Sequence, residues 1–281
     1  MTILNIDDVL KRHNLSHFED LFQNPAYSLR LKFAADKTEK SLSRAGGSPS
    51  LPPAFDWPVS RSKIPLAFLC QIGLGDHKAF KNAYEPLPSK GLLSFFYDAF
   101  DGPWGNHIDD SQGFRVFYFE DPAVLKITDA PAKLPPTSVF APCAIAMHEE
   151  LSYPAITVDM ATLSSGGYET FDDYLKAAEE IYGDNVIHRM MGHGQDIAGD
   201  FKLDCEIAST GLELDDDFDF SSAEGAKLAV ASEQWLLLLQ LDSDDLAQMM
   251  WVDQGRLYFA IRAHDLAARR FHKVWMTCET R

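Results

Sequence analysis

Apolar positions along this chain follow two periods, and the strand period dominates. Residues 235–241, Trp-Leu-Leu-Leu-Leu-Gln-Leu, form a nearly unbroken apolar run interrupted only by Gln240, the pattern of a buried strand. After an Asp-rich connection and Gly255, residues 256–261 alternate and are expected to pair with it. The same reading makes strands of 66–72, 92–97 and 114–119, with a turn at 88–91. Residues 28–33 alternate strictly, which predicts a strand with one buried face, and a last strand is expected around 273–277 after a helical turn near 265–270. The pairs 66–72/92–97 and 235–241/256–261 are too closely spaced for helical crossovers, so antiparallel pairing is expected.

Helical spacing is confined to three places. Apolar residues from Ile3 to Phe22, set among charges, predict one or two short amphipathic helices, the second opened by Asn14 or Ser16 and closed by Pro25. Phe171, Tyr174, Leu175, Ala178 and Ile181 mark one face of a helix over 169–183, with Thr170 as its cap and Gly183 as its stop. A further helix is expected over about 200–210, ended by Gly211. Four prolines and two glycines make 46–58 an irregular loop, pinned to the body by Phe55 and Trp57. The loop around Trp104 either gates a pocket or caps a sheet edge. Residues 214–220 form an exposed acidic loop.

Aligning Gln71 with Gln240 lays 66–76 over 235–245, matching five apolar positions, the glutamine, the next apolar residue and an aspartate. Gly91-x-Leu93-x-Phe95 then matches Gly255-x-Leu257-x-Phe259, and Arg44-x-x-Gly47 matches Arg189-x-x-Gly192, in the same order. Three echoes in order point to a tandem duplication. The expected fold is therefore α+β and β-rich: two related halves of mainly antiparallel sheet with a few peripheral helices. One domain spans 1–281, with an N-terminal arm and first strand (1–42), a first repeat (43–130), a connection with a helix (131–186) and a second repeat carrying the acidic insertion (187–281). Pseudo-twofold packing of two sheets would bring Arg44, Gln71, His188, Arg189 and Gln240 to a polar inter-repeat cleft, a candidate ligand site. The alternative is that each glutamine only ends its strand by bonding to backbone.

Charge narrows the partners. The net charge is -17, and residues 196–245 hold 14 acidic residues against Lys202 and Lys227, whereas 256–281 is basic. Such a chain repels phosphate backbones and anionic membrane surfaces, so neither nucleic acid nor membrane is an expected partner. A basic protein or a cation is electrostatically easier, and the favoured reading of the acidity is solubility alone. No apolar run is long enough to cross a bilayer, no signal peptide is evident at the N-terminus, and the four cysteines are far apart without a C-x-x-C. A cytoplasmic protein with reduced thiols is the expectation.

The ordered motifs also resemble a known family. Gly46-Gly-x-Pro-x-Leu-Pro52 with Trp57-Pro58, Pro65-Leu-Ala-Phe-Leu-Cys-Gln71-Ile72, Leu87-Pro-x-x-Gly91-x-Leu-x-Phe-Phe96, His188-Arg-Met-Met-Gly192 and Met250-Trp-x-Asp253-x-Gly255-x-Leu-Tyr-Phe259 are similar to the YwqG-like family, a bacterial domain of unknown function. Val252 stands where that family often has glycine. The resemblance covers 43–281 and implies a cytosolic β-rich unit, with no activity, cofactor or catalytic residue to transfer.

No Walker loop, G-x-S-x-G, H-E-x-x-H or dinucleotide fingerprint is present. Asp242, Asp244 and Asp253 fit positions one, three and twelve of an EF-hand template, but Leu246 and Ala247 stand where an oxygen ligand and glycine are needed. What remains is a looser candidate metal site or a set of solvated turn carboxylates. No cofactor is expected. The favoured function is a non-catalytic binding module, of inhibitor or immunity type, presenting Asp215, Asp216, Asp217 and Asp219 to a basic protein partner. The alternative is a hydrolase, cation-assisted, using carboxylates between the repeats.

Overall fold

The computed structural model describes residues 5–35, 42–75, 80, 82–83, 86–164, 166–215 and 218–280. Its strands are β1 (Ala26–Ala35), β2 (Arg44–Ala45), β3 (Ser50–Leu51), β4 (Ala67–Gly73), β5 (Leu92–Tyr97), β6 (Phe114–Phe119), β7 (Lys126–Ile127), β8 (Cys143–Ser152), β9 (His188–Met190), β10 (Trp235–Asp242), β11 (Arg256–Arg262) and β12 (Trp275–Glu279). Its helices are α1 (Ile6–Arg12), α2 (Val158–Leu163), α3 (Gly167–Tyr182), α4 (Phe201–Thr210), α5 (Ala223–Ser232) and α6 (Ala263–Ala267). The chain is thus a β-rich α+β protein, and each strand pairing among the described residues is antiparallel.

One ten-stranded sheet runs β12-β11-β10-β9-β1-β8-β2-β4-β5-β6, with β3 and β7 as a separate small pair. The described strands form no pair of opposed large sheets with a cleft between them. β4, β5 and β10 are buried along almost their whole length, as continuous apolar runs require. The centre was not legible in advance. β8, inside the expected connection, pairs with β1 over ten residues, yet its sequence CAIAMHEELS is only patchily apolar because much of it is half-exposed.

Helix ends follow capping chemistry with some corrections. Asp200 caps α4 by accepting from Lys202 N, and Gly211 (φ 70°) ends it; Gly183 (φ 67°) ends α3. Thr170 does not cap α3: it lies inside the helix, buried, and Gly166 takes the cap position without a side-chain bond. The first N-terminal helix is capped by Asn5, and residues 16–23 form a 3-10 turn without a side-chain cap rather than an α-helix begun by Asn14 or Ser16. α5 was not anticipated; its small residues carry no clear stripe, and most of it is exposed.

The order of the large sheet reads equivalently from both edges, with β1 and β8 at its middle. Arg44 pairs with Gln71 and Arg189 with Gln240. A register shift falls between Phe68 and Cys70 against β5, and another between Leu237 and Leu239 against β11. The two edges approach each other. Phe95 packs on Phe259 (ring centroids 5.3 Å), Phe114 on Trp275 (5.3 Å) and Tyr118 on Phe271 (5.2 Å). The Trp104 loop caps the β12 edge: Cys278 N donates to Trp104 O and Trp275 Nε1 to Gly105 O, both at 2.8 Å. Gly105 has φ 79°, and a Cβ there would collide with the Met276 carbonyl, so glycine is required for this approach. Phe55 and Trp57 do pin their loop, through edge contacts to Phe117 and Phe96 and a Trp57 Nε1 bond to Leu66 O. All four cysteines are free and buried. No helix among the described residues is long and apolar enough to cross a membrane.

Candidate functional site

Each half builds the same polar knot, and its geometry can be followed from the backbone. Gly46 and Gly47 (φ 59° and 64°) bend the chain after Arg44; Met191 and Gly192 (φ 61° and 71°) do so after Arg189. The bend curls the following carbonyl back onto the guanidinium. Arg44 Nε donates to Ser48 O (3.0 Å) and Arg189 Nη1 to His193 O (3.0 Å). Gln71 then clamps the loop, Nε2 donating to Leu42 O and Oε1 accepting from Ser50 N. Gln240 repeats this with Ile187 O and Gln195 N. All four side chains are buried. Many of their polar groups face backbone, as buried donors and acceptors require, while Arg44 Nη2 also reaches Ser50 Oγ and Arg189 Nη2 reaches Glu150. The two Arg–Gln pairs lie on either side of β1 and β8, so they do not meet one another.

His188 occupies a fixed place in the second knot. Asp242 N donates to its Nδ1 (3.1 Å), so Nδ1 carries the lone pair and Nε2 the hydrogen, which points at Asp244 Oδ2 (3.0 Å). Phe33 stacks on the ring at 4.0 Å. The His188 hydrogen bond, outweighing burial, holds the Asp244 carboxyl below the usual range. With both nitrogens engaged and the ring buried, His188 has no free atom with which to move a proton on a substrate. The corresponding place in the first half is Ser43, whose Oγ accepts from Gly73 N (2.9 Å).

Between the knots lies a charge cluster that the sequence did not signal. Arg30, buried at the centre of β1, donates to Val186 O (2.8 Å) and lies 3.8 Å from Glu150, while Arg189 Nη2 donates to Glu150 (2.8 Å) and its guanidinium covers the Tyr182 ring. Burial lowers the Arg30 pKa, and Glu150 opposes that shift.

The candidate metal ligands are separated by their bonds. Asp242 is buried, accepts from Ile187 N (2.7 Å) and pairs with Arg256 Nε (2.7 Å). Burial is the largest influence on the Arg256 pKa and works to lower it, but Asp242, Tyr258 and Tyr174 together outweigh it and the value rises. Asp244 also takes the Leu246 and Ala247 N–H groups of its turn, and Asp253 is exposed. Among the described residues, no group of three or more His, Cys, Asp or Glu side chains is placed to hold a metal ion. A different carboxylate cluster forms at the start of α4. Burial, then Glu279 and Asp200, pushes the Asp204 carboxyl up to about 7, and burial followed by Glu279 raises Asp196 as well.

Among the described residues, the acidic loop with α5 and a groove between the sheet edges are open to a partner. Of the four acidic-loop residues, Asp215 and Asp219 are exposed; Asp216 and Asp217 lie outside the described residues. Asp219 caps its own turn, accepting from Ser221 N and Oγ. Exposed apolar side chains accompany them in this stretch: Leu212, Phe220 and, on α5, Val230, which is 72% exposed. The second surface is a groove of about 750 Å³ where the two sheet edges meet, lined from β6, α6 and residues 270–275.

A family model, DUF1963, described as a domain of unknown function, matches residues 43–279. No curated protein matches the chain.

Proposed function

The chain belongs to the DUF1963 family of domains of unknown function, and we propose that it is a cytoplasmic, non-catalytic binding module for a basic protein partner, of inhibitor or immunity type. The observation that carries this reading is the set of exposed acidic and apolar side chains among the described residues between Leu212 and the end of α5. Glu213, Asp215, Asp219 and Glu224 form no ion pair among the described residues, and Phe220 and Val230 stand exposed beside them in the chain. Like charges without counter-ions speed and salt-sensitise association with a cation, while exposed apolar groups supply short-range affinity. The side chains with catalytic potential are otherwise engaged: Gln71, Gln240, Arg44, Arg189 and His188 hold backbone or one another's loops. A cation-assisted hydrolase would need Asp242 free, and its ion pair with Arg256 weighs against that. Buried, free thiols suit a reducing compartment.

We further infer that 43–130 and 187–281 arose by tandem duplication. Support comes from the equivalent Arg–Gln registers, from the register shifts three and one residues before each glutamine, and from Leu74 N bonding Gly91 O as Ser243 N bonds Gly255 O. The YwqG-like motif set supports the finer family assignment.

The binding reading is tested by titrating a Lys/Leu amphipathic peptide against three proteins: wild type, the variant with Asp215, Asp216, Asp217 and Asp219 changed to Asn, and a control with Asp7→Asn, Asp8→Asn, Glu19→Gln and Asp20→Asn. The two variants have the same net charge. At least tenfold weakening in the loop variant alone is expected. Equal weakening in both would reduce the effect to overall charge and sink the proposal.

A further inference from the structure

A chain of net charge -17 conceals a cationic groove where its two sheet edges meet. Arg115 projects from β6, Arg262 ends β11, and Arg270 and Lys273 lie on the turn leading into β12; all four line the groove, as do His264 and His272. Two acids answer these four permanent cations. Arg262 Nη2 donates to Glu206 (2.8 Å) while lying over the Trp235 ring, and Arg270 Nε pairs with Asp265 (2.7 Å). Asp265 lies 3.4 Å from His264 as well.

Arg115 and Lys273 are not answered. Lys273 is exposed and forms no ion pair among the described residues. Arg115 is half-buried, and the partners shown for it are two carbonyls, Ser111 O and Phe114 O, reached by one nitrogen, Nη1. Burial lowers its pKa with no neighbouring acid to offset the cost. A half-buried guanidinium without a carboxylate is an expensive arrangement unless an anion completes it. Ser111, Gln112 and Ser209 add neutral polar groups to the lining, and apolar side chains including Ile108, Phe114 and Val274 complete it.

We propose that this groove is a binding site for a small organic phosphate with an apolar body, its phosphoryl group held by Arg115 and Lys273. Size and charge choose the class. A volume near 750 Å³ suits a small molecule, which such pockets hold by apolar lining and a few convergent polar groups. An arginine fork and a lysine point charge from different elements match a group with three acceptor oxygens. Nucleic acid is disfavoured because the surrounding net charge repels a long polyanion. The site is independent of the acidic face, so either proposal can fail alone.

Titration with phenyl phosphate, inorganic phosphate and phenol, followed by calorimetry and by Trp fluorescence, tests the assignment at low salt. Phenyl phosphate is expected to bind saturably, at least tenfold tighter than either fragment, and to weaken as salt rises. Arg115→Gln and Lys273→Gln should each weaken it by at least tenfold, whereas Lys126→Gln, on the separate β3/β7 pair, should not. Because Arg115 also supports its loop, Lys273→Gln with an unchanged thermal melt is the decisive variant. No saturable binding, or equal affinity in wild type and Lys273→Gln, overturns the proposal.

Discussion

Asp204→Asn tests the buried carboxylate cluster through the pH dependence of stability. Asp204 lies in the first turn of α4, where burial, Glu279 on β12 and the cap Asp200 raise its carboxyl from 3.8 to about 7. A carboxyl whose folded value exceeds its unfolded value stabilises the native state fully below the unfolded pKa, and that contribution is lost as pH rises to the folded pKa. The shift spans about three units, or roughly 4 kcal/mol at about 1.36 kcal/mol per unit. Most of this change, roughly 2–3 kcal/mol, falls between pH 5 and 8. The α4 N-terminus favours the ionised form by about 0.3–1 kcal/mol, leaving roughly 2 kcal/mol as the expected effect. Asparagine keeps the shape of the neutral acid and removes the titration. Urea unfolding at pH 5 and pH 8 should therefore show the variant gaining about 2 kcal/mol on wild type at the higher pH. A difference between the two proteins that stays constant within about 0.5 kcal/mol across that interval would refute the reasoning. Asp196, raised in the same direction, should leave a residual slope in the variant.

Two structural predictions follow from packing. Leu238→Ala, in a fully buried position of β10, should cost roughly 2–5 kcal/mol in denaturant unfolding, since neighbours refill such a space only in part; a loss below about 0.5 kcal/mol would remove β10 from the core. Gly105→Ala should cost about 1–3 kcal/mol, because both its φ and the Met276 carbonyl oppose a Cβ, and hydrogen exchange should rise first at Cys278 N, which the Trp104 carbonyl protects. Unchanged Cys278 protection would show that the loop does not hold the β12 edge.

Local signals made much of this fold legible. The apolar runs of β4 and β10 name themselves because a strand buried on both faces has no polar side to show. α4 ends where Gly211 takes a left-handed φ, a backbone choice written in one residue. The repeated arginines and glutamines were visible in the sequence, but the Arg44–Gln71 and Arg189–Gln240 pairings were not: the spacing between the two residues differs between the repeats, and the expectation gathered all four in one cleft instead of two separate strand pairs. β8 was not accessible: its ten residues earn their place through hydrogen bonds to β1, and backbone pairing leaves little trace in side-chain period.

What the sequence by itself determined is therefore the class of fold, its principal strands, the glycines that permit its bends, and a strong acidic bias. Tertiary structure alone decided which polar residues are free to act. Gln71, His188 and Asp242 look like chemistry in one dimension, but burial forces each to satisfy its hydrogen bonds within the fold. Arg115 and Lys273 are separated by more than half the chain, and the meeting of β6 with the turn before β12 brings them to one groove. Sequence periodicity reports which side of its own element a residue occupies; it carries no record of which distant element will face it, because that is set by the closure of the whole sheet.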